Sequence, residues 1–294
     1  MSENPLINIG ELSKPATVLI EKISDAVGGI FKPSQIVRVA KAEAEAKRIE
    51  AETQIEITNL ERRAFARFIK EEARKQNNIE QITQKALPLL EEDAQPDNVE
   101  EDWIANFFDK SRLISDYEMQ NLWARVLAGE ANSPGSYSKR TISLLASLDK
   151  SDAVLFTSLC SFGWFIHESE IIPLVLDNQN KVYNDHGINF VTLNHLQSIG
   201  LITFSSTSSI AETDLPKEFM ATYYDRTIKL EMPSNSENLL SVGEVLLTKA
   251  GFEIAPICGS RPVEGFFDFV SETWKSYIKK EELSQDIQPP IEAE

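Results

Sequence analysis

The amino-acid sequence predicts a mainly α protein with a long N-terminal helix, a central antiparallel helical bundle and a small α+β winged-helix-like C-terminal module. Three observations predict this fold class. Residues 34–87 contain no glycine, and proline stands only at their borders, as Pro33 and Pro88. Between Asp102 and Gly163, apolar residues recur at helical spacing with short breaks between the runs. Further along, short apolar runs alternate with turn residues, which is typical of mixed helices and strands.

Changes in composition divide the 294 residues into five segments. The predicted segments are an N-terminal amphipathic segment (1–33), a long helix or coiled coil (34–87), the helical bundle (88–165), the winged-helix-like module (166–260), and a C-terminal helix with a disordered tail (261–294). The connections within the bundle are short, so its neighbouring helices are expected to pack antiparallel.

The N-terminal segment predicts a short amphipathic helix that begins after Ser13 and ends at Gly28-Gly29. Its apolar side chains are candidates for contact with a membrane: Leu19, Ile20, Ile23, Val27, Ile30 and Phe31. Its polar face mixes acids and bases and lacks the basic excess that anionic lipid favours. The alternative is therefore that this helix packs on the bundle or on a partner subunit.

One apolar stripe follows the long helix, with spacings of three and four residues. The residues assigned to oligomerisation are Ile49, Ile57, Leu60, Ala64 and Phe68. The period favours a nearly straight or slightly right-handed supercoil, so we expect helix pairing, with a helix folded back on the bundle as the alternative. The same region contains several arginines and lysines interleaved with glutamates, which we interpret as a solvated charged face.

The central run supplies the predicted bundle core. Its members are Trp103, Phe107, Leu122, Trp123 and Leu127. The preceding residues, 88–102, contain seven carboxylates that helix capping and solubility explain. In the C-terminal module, a helix at 189–199 and strands at 201–204 and 226–232 suggest a winged helix. Because that helix contains no lysine or arginine, DNA readout is disfavoured.

The formal charge of −17 and a pI near 4.7 make the surface acidic, which disfavours nucleic acid as a partner. Two cysteines without metal-ligand spacing indicate thiols in a reducing compartment. The N-terminus has no basic region followed by an apolar core, and no apolar run reaches the length of a membrane span. The predicted location is cytoplasmic, with peripheral contact at the inner membrane as a variant.

No phosphate-binding loop, dinucleotide fingerprint or zinc pairing stands in the sequence. The sequence therefore predicts no catalytic, cofactor-binding or metal-binding residues, and no cofactor. We expect the protein not to be an enzyme.

The stretch Glu118–Glu130, EMQNLWARVLAGE, is flanked by Asp102-Trp103 upstream and by Pro134-Gly135-Ser136 downstream. Together with the N-terminal LSKP and the C-terminal PICGS, it resembles an uncharacterised bacterial domain-of-unknown-function family related to abortive-infection alpha-type proteins. That resemblance implies a role in antiviral defence against phage, and it carries over no catalytic residue.

These observations favour a non-enzymatic oligomeric interaction protein with an unidentified protein partner. Two alternatives stay open from the sequence. One is a membrane-acting effector that uses the N-terminal amphipathic helix, and the other is a winged-helix DNA-binding regulator.

Overall fold

A computed structural model describes residues 12–28, 59–167 and 170–278 of the chain. These residues form two compact units. The described part of the first unit contains residues 12–28, 59–156, 198–201 and 248–259. The second contains residues 157–167, 170–197, 202–247 and 260–278.

Helices form most of the regular structure before Gly163. They are α1 (Lys14–Val27), α2 (Asn59–Ala86), α3 (Glu101–Ser111), α4 (Tyr117–Asn132), α5 (Lys139–Leu145) and α6 (Lys150–Cys160). Short 3-10 helices at Leu87–Leu89 and Pro96–Asn98 lie between α2 and α3. The first unit also contains α9 (Lys249–Ile254) and a 3-10 helix at Ala255–Ile257.

Local chemistry explains where these helices begin and end. Ser13 caps α1 by accepting a hydrogen bond from the Ala16 N–H, and Gly28 ends it in the left-handed conformation, which confirms the predicted bounds. Asp116 caps α4 by accepting from the Glu118 and Met119 N–H groups. Ser138 caps α5 by accepting from Thr141. In these three helices, short polar side chains therefore accept from one or two of the first amides.

The core of the first unit is built around Trp123, which is fully buried on α4. Its ring meets that of Phe107 edge to face, with the centroids 5.1 Å apart. Trp103 stacks on Phe107 at the same centroid distance. Three large aromatic side chains thus join α3 and α4, and edge-to-face and offset contacts are the arrangements that aromatic rings prefer.

The second unit contains the strands. Its elements are β1 (Gly163–Ile166), β2 (Ile171–Pro173), α7 (Lys181–Asn184), α8 (Phe190–Ser198), β3 (Ile202–Phe204), β4 (Ile210–Leu215), β5 (Glu218–Tyr223), β6 (Arg226–Glu231), β7 (Asn238–Gly243), β8 (Val245–Leu247) and α10 (Phe266–Thr273). Strands β1, β2, β5 and β6 form one antiparallel sheet in the order β2-β1-β5-β6. Two further antiparallel pairs are β3-β8 and β4-β7.

Aromatic packing holds the second unit together. Trp164 of β1 is fully buried and stacks on Tyr223 of β5, with ring centroids 5.2 Å apart. The Tyr223 hydroxyl donates to the Ser161 carbonyl and accepts from the Val263 N–H, each at 2.7 Å. Burial raises the pKa of this tyrosine to about 12. The hydroxyl therefore stays protonated and connects two loops to the sheet at any physiological pH.

The structure overturns the predicted fold class. The protein is α+β, not a mainly α protein organised as a helical bundle, because one four-stranded sheet and two two-stranded sheets occupy the second unit. The prediction missed β1, β2, β4, β5 and β7. These strands are only three to six residues long, and pairs such as β1-β5 join residues nearly 60 positions apart, so local periodicity carries little signal for them.

Several predicted segments extend beyond the described residues, and of the N-terminal segment residues 1–11 and 29–33 lie outside. The described part of the long helix, α2, ends at Ala86, one residue before the predicted boundary, while residues 34–58 lie outside. Most of the predicted C-terminal tail also lies outside. Within residues 12–28, 59–167 and 170–278, no helix combines the length and apolar character that crossing a bilayer requires.

Replacing Trp123 with alanine should lower the free energy of unfolding by about 3–5 kcal/mol, because a cavity forms beside Phe107. Urea unfolding followed by circular dichroism measures this loss. As a control, Leu113→Ala removes a side chain that is 56% exposed and should change stability by no more than about 0.5 kcal/mol. An unchanged stability for Trp123→Ala would contradict this placement of the side chain.

Candidate functional site

The N-terminal half of α2 is exposed along its whole length. Every residue from Asn59 to Arg74 is exposed, about four helical turns. The large apolar side chains in this stretch are Leu60, Phe65, Phe68 and Ile69, at 68%, 54%, 58% and 42% exposure. We call these 16 residues the outer half of α2. Four exposed apolar side chains on one short stretch mark a candidate contact surface.

The apolar side of the outer half continues the side that is buried further along α2. Ile79 and Ile82 lie in the core of the first unit. At 3.6 residues per turn, they share a helix face with Leu60, Ala64 and Phe68. One apolar face therefore runs along all of α2, and only its C-terminal half is covered by the unit that contains it.

A row of cations follows the other side of the same helix. Arg63, Arg67, Lys70 and Arg74 recur at i, i+4, i+7 and i+11 and are all exposed. At 3.6 residues per turn, they lie on roughly the opposite side from Phe65 and Phe68. We call these four residues the basic row. An ion pair of 3.7 Å joins Arg67 to Glu71, and at these exposures such a pair contributes little stability.

The predicted oligomerisation stripe falls partly within this surface. Leu60, Ala64 and Phe68 lie on the exposed apolar face of α2. Ile49 and Ile57 lie outside the described residues. Phe65 and Ile69 are not part of the predicted stripe. They follow Ala64 and Phe68 by one residue and widen the apolar face of α2.

The candidate membrane contacts on α1 lie inside the first unit. Leu19 and Ile23 are fully buried, Ile20 is 7% exposed and Val27 is half-buried, since α1 packs on α3 and on the 3-10 helix Pro96–Asn98. Ile30 and Phe31 lie outside the described residues. The apolar face of α1 is thus occupied by contacts with protein.

Four of the five predicted core residues are buried, namely Trp103, Phe107, Trp123 and Leu127. Leu122 is only half-buried. It stands next to Trp123 on α4, where the apolar arc of the helix meets its solvent side.

A second feature of the first unit is a cleft of about 530 Å³ beside the end of α4. Glu130 lies in its wall and is 3% exposed. Its Oε1 accepts from the Gly135 N–H at 2.7 Å, and its Oε2 accepts from the Tyr137 N–H at 2.9 Å. The Trp103 indole donates to the Tyr137 carbonyl at 2.6 Å. These bonds connect the loop after α4 to the core.

Burial raises the pKa of Glu130, and the nearby Glu253 and Glu100 carboxylates raise it further, whereas its two N–H donors lower it. Burial likewise raises the pKa of Tyr137 to about 12. Glu253 accepts from the Ser138 N–H at 2.9 Å, so it too holds this loop. Both Glu130 carboxylate oxygens already accept hydrogen bonds from backbone N–H groups. Glu130 therefore has a structural role, which is to fix the loop 135–138 to α4; we call this contact the clasp.

Glu130 is not among the residues predicted from the sequence, although its position gives a signal. It follows Trp123 and Leu127 at the next core position of α4, and a carboxylate at an apolar position needs buried donors. Gly129 precedes it and leaves room for Tyr137, since a Cβ there would stand 2.8 Å from the tyrosine ring. Among the described residues, no group of three or more His, Cys, Asp or Glu side chains could hold a metal ion.

The fold and this surface define an α+β protein with an exposed, two-faced helix. The chain belongs to the family described as Protein of unknown function (DUF2806), whose model matches residues 62–271, or 210 of the 294 residues. The match begins within the outer half of α2 and ends in α10. No curated protein matches the chain. No solved structure matches it either.

Substituting Glu130 with glutamine should destabilise the first unit by about 1–3 kcal/mol near neutral pH, because one of the two amides loses its acceptor. The difference should depend on pH. The pKa of Glu130 is raised in the folded state, so the wild type carries its full advantage below the ordinary value of 4.5 and loses part of it as the pH rises through the folded pKa.

Urea unfolding of both proteins between about pH 4 and 8 checks this, since groups common to both cancel in the difference. If the difference in unfolding free energy between wild type and variant stays constant across this range, Glu130 has the same pKa in the folded and unfolded chains. That result would contradict the prediction.

Proposed function

We propose that this chain is a non-enzymatic interaction protein that self-associates through the apolar side of the outer half of α2. The observation that carries the proposal is the exposure of Phe65 and Phe68, each above half, on the face that Ile79 and Ile82 bury further along. A second copy of the same helix offers a matching apolar face, as an isologous contact requires.

Energetics support a partner for this surface. Most helical stability in proteins comes from packing of an amphipathic face, and the outer half of α2 has no such packing within its own unit. Burying one phenylalanine side chain contributes about 1.5–3 kcal/mol, so the two phenylalanines together supply roughly 3–6 kcal/mol. Leu60 and Ile69 add to this. After the entropic cost of association is subtracted, these free energies correspond to a Kd in the micromolar range.

We prefer self-association to the two alternatives from the sequence. A membrane-acting effector based on α1 needs Leu19 and Ile23 to leave the core, where both are fully buried. A DNA-binding regulator needs cations on its recognition helix, and α8 contains neither lysine nor arginine. No described feature of either helix offsets these costs.

We also propose that the protein acts in bacterial defence against phage. The support is the resemblance of the stretch around Glu118–Glu130 to proteins related to the abortive-infection alpha type. In this proposal, self-association through α2 is the step that makes the protein active, because assembly lets a small change in protein concentration produce a large change in the active population.

Replacing both Phe65 and Phe68 with serine should weaken self-association about 100-fold or more, because roughly 3–6 kcal/mol of apolar burial is lost. Sedimentation equilibrium at several protein concentrations measures the mass. Both residues are exposed within the single chain, so the variant should keep the circular dichroism spectrum and melting temperature that the wild type shows when it is diluted below its dissociation constant.

The matched control replaces Leu113 and Val154 with serine. These side chains are each 56% exposed and stand on other elements of the first unit, so this variant should associate as the wild type does. A wild type that stays monomeric at tens of micromolar, or a Phe65/Phe68 variant with unchanged mass, would refute the proposed contact.

Cells that carry the gene should resist phage at low multiplicity of infection and collapse at high multiplicity, as abortive defence requires. The double substitution Phe65→Ser and Phe68→Ser should remove this protection, while the Leu113 and Val154 control keeps it. Plaque counts and culture density against an empty vector give the readout. Equal plaque counts with and without the gene across a broad phage panel would reject the defence role.

A further inference from the structure

The segment that joins α2 to α3 is strongly acidic and exposed. Residues 87–102 contain no lysine or arginine. All seven of its carboxylates belong to exposed residues, and they are Glu91, Glu92, Asp93, Asp97, Glu100, Glu101 and Asp102. We call this segment the acidic connector. The ammonium group of Lys22 approaches it but donates to the backbone carbonyls of Asp97 and Val99.

The acidic connector and the basic row lie at opposite ends of the α2–α4 pair. Asn78 of α2 donates to Ser115 Oγ, just before α4, at 3.1 Å. Asn132, the last residue of α4, accepts from the Glu91 N–H at 3.1 Å. The 16 residues of α4 span about 24 Å, and the basic row lies on the far side of Asn78.

Within one chain the two charged groups therefore do not meet. A separation of about 24 Å is roughly three Debye lengths at physiological ionic strength, so their mutual attraction is screened. The connector carries only negative side chains, and the row carries four cations of which Arg67 pairs with Glu71. The complement of each is present on every other copy of the chain at equal concentration.

We propose that the basic row of one copy binds the acidic connector of a second copy. This inference rests on the proposed self-association and adds a second contact to it. A copy of this chain fits the row better than a nucleic acid or a lipid surface does. The net charge of −17 repels an extended polyanion along the rest of the protein, whereas the connector presents its carboxylates locally.

The two contacts differ in symmetry. The apolar face pairs with itself, and such an isologous contact closes a dimer. The basic row binds a different surface, so this heterologous contact links one dimer to the next and produces rings or filaments. Salt screens the second contact and leaves the first in place. The protein is thus expected to form assemblies larger than a dimer at low salt and dimers at high salt.

A charge exchange on the full-length protein tests this arrangement. The row variant carries Arg63→Glu, Lys70→Glu and Arg74→Glu, and the connector variant carries Glu91→Lys, Glu92→Lys and Asp93→Lys. All six positions are exposed, so both variants should keep the wild-type melting temperature. Each variant alone should form dimers at low salt, with the larger assembly weakened about 10- to 100-fold.

An equimolar mixture of the two variants should restore the larger assembly, because each variant then meets an oppositely charged partner. Light scattering coupled to size exclusion gives the mass at about 50 mM and 500 mM salt. No rescue in the mixture, or wild-type mass for both single variants, overturns the proposal. A third outcome also overturns it: the row variant keeps the wild-type mass but no longer binds phosphatidylserine vesicles or duplex DNA. The basic row would then bind a polyanion and not a second copy.

The same measurement separates the two proposals. One outcome is a salt-independent dimer that both charge variants still form and the Phe65/Phe68 variant does not. It would support the proposed apolar contact and refute the charged one. A salt-sensitive assembly that survives the Phe65/Phe68 substitutions rejects the apolar contact and keeps the charged one. A wild type that is monomeric at both salt concentrations rejects both.

Discussion

The seating of α2 on α4 is the constraint on which the candidate surfaces depend. Asn78 is 2% exposed, and its amide donates to the Arg112 carbonyl at 2.9 Å and to Ser115 Oγ at 3.1 Å. The Gln120 side chain donates to Asn78 Oδ1 at 3.4 Å. A buried amide whose partners sit at fixed positions tolerates no slippage, because one turn of displacement would leave several polar atoms unsatisfied. This contact therefore determines which half of α2 is covered.

The packing of α2 on α4 also determines where the apolar face and the basic row of the outer half point. Ile79 and Ile82 point into the core. Ala64 and Phe68 lie on the same face of α2, but they lie in its exposed half. The basic row is turned to the other side by the same helical geometry. The position of Asn132 places the acidic connector at the far end. A single buried polar contact thus sets the spacing of three surface features.

The two units use different means to organise a core. In the first, helices bring Trp103, Phe107 and Trp123 together over short sequence distances. In the second, Trp164 and Tyr223 meet because β1 and β5 pair across about 60 residues. Periodicity therefore predicted four buried residues of the first unit, Trp103, Phe107, Trp123 and Leu127, and it missed most strands of the second. A strand of four residues such as β1 is too short to show its period, and its partner is set by tertiary structure.

The sequence by itself determined the helices with strong local signals: α1 between Ser13 and Gly28, the glycine-free course of α2, and the aromatic core around Trp123. Helical periodicity and capping are local properties, so they can be seen without the fold. Tertiary structure decided the α+β class, the clasp at Glu130, the burial of the α1 face, and which half of α2 stays exposed. An amphipathic helix has the same pattern whether protein, lipid or water faces it, because the pattern reports only that one side is apolar and not what covers it.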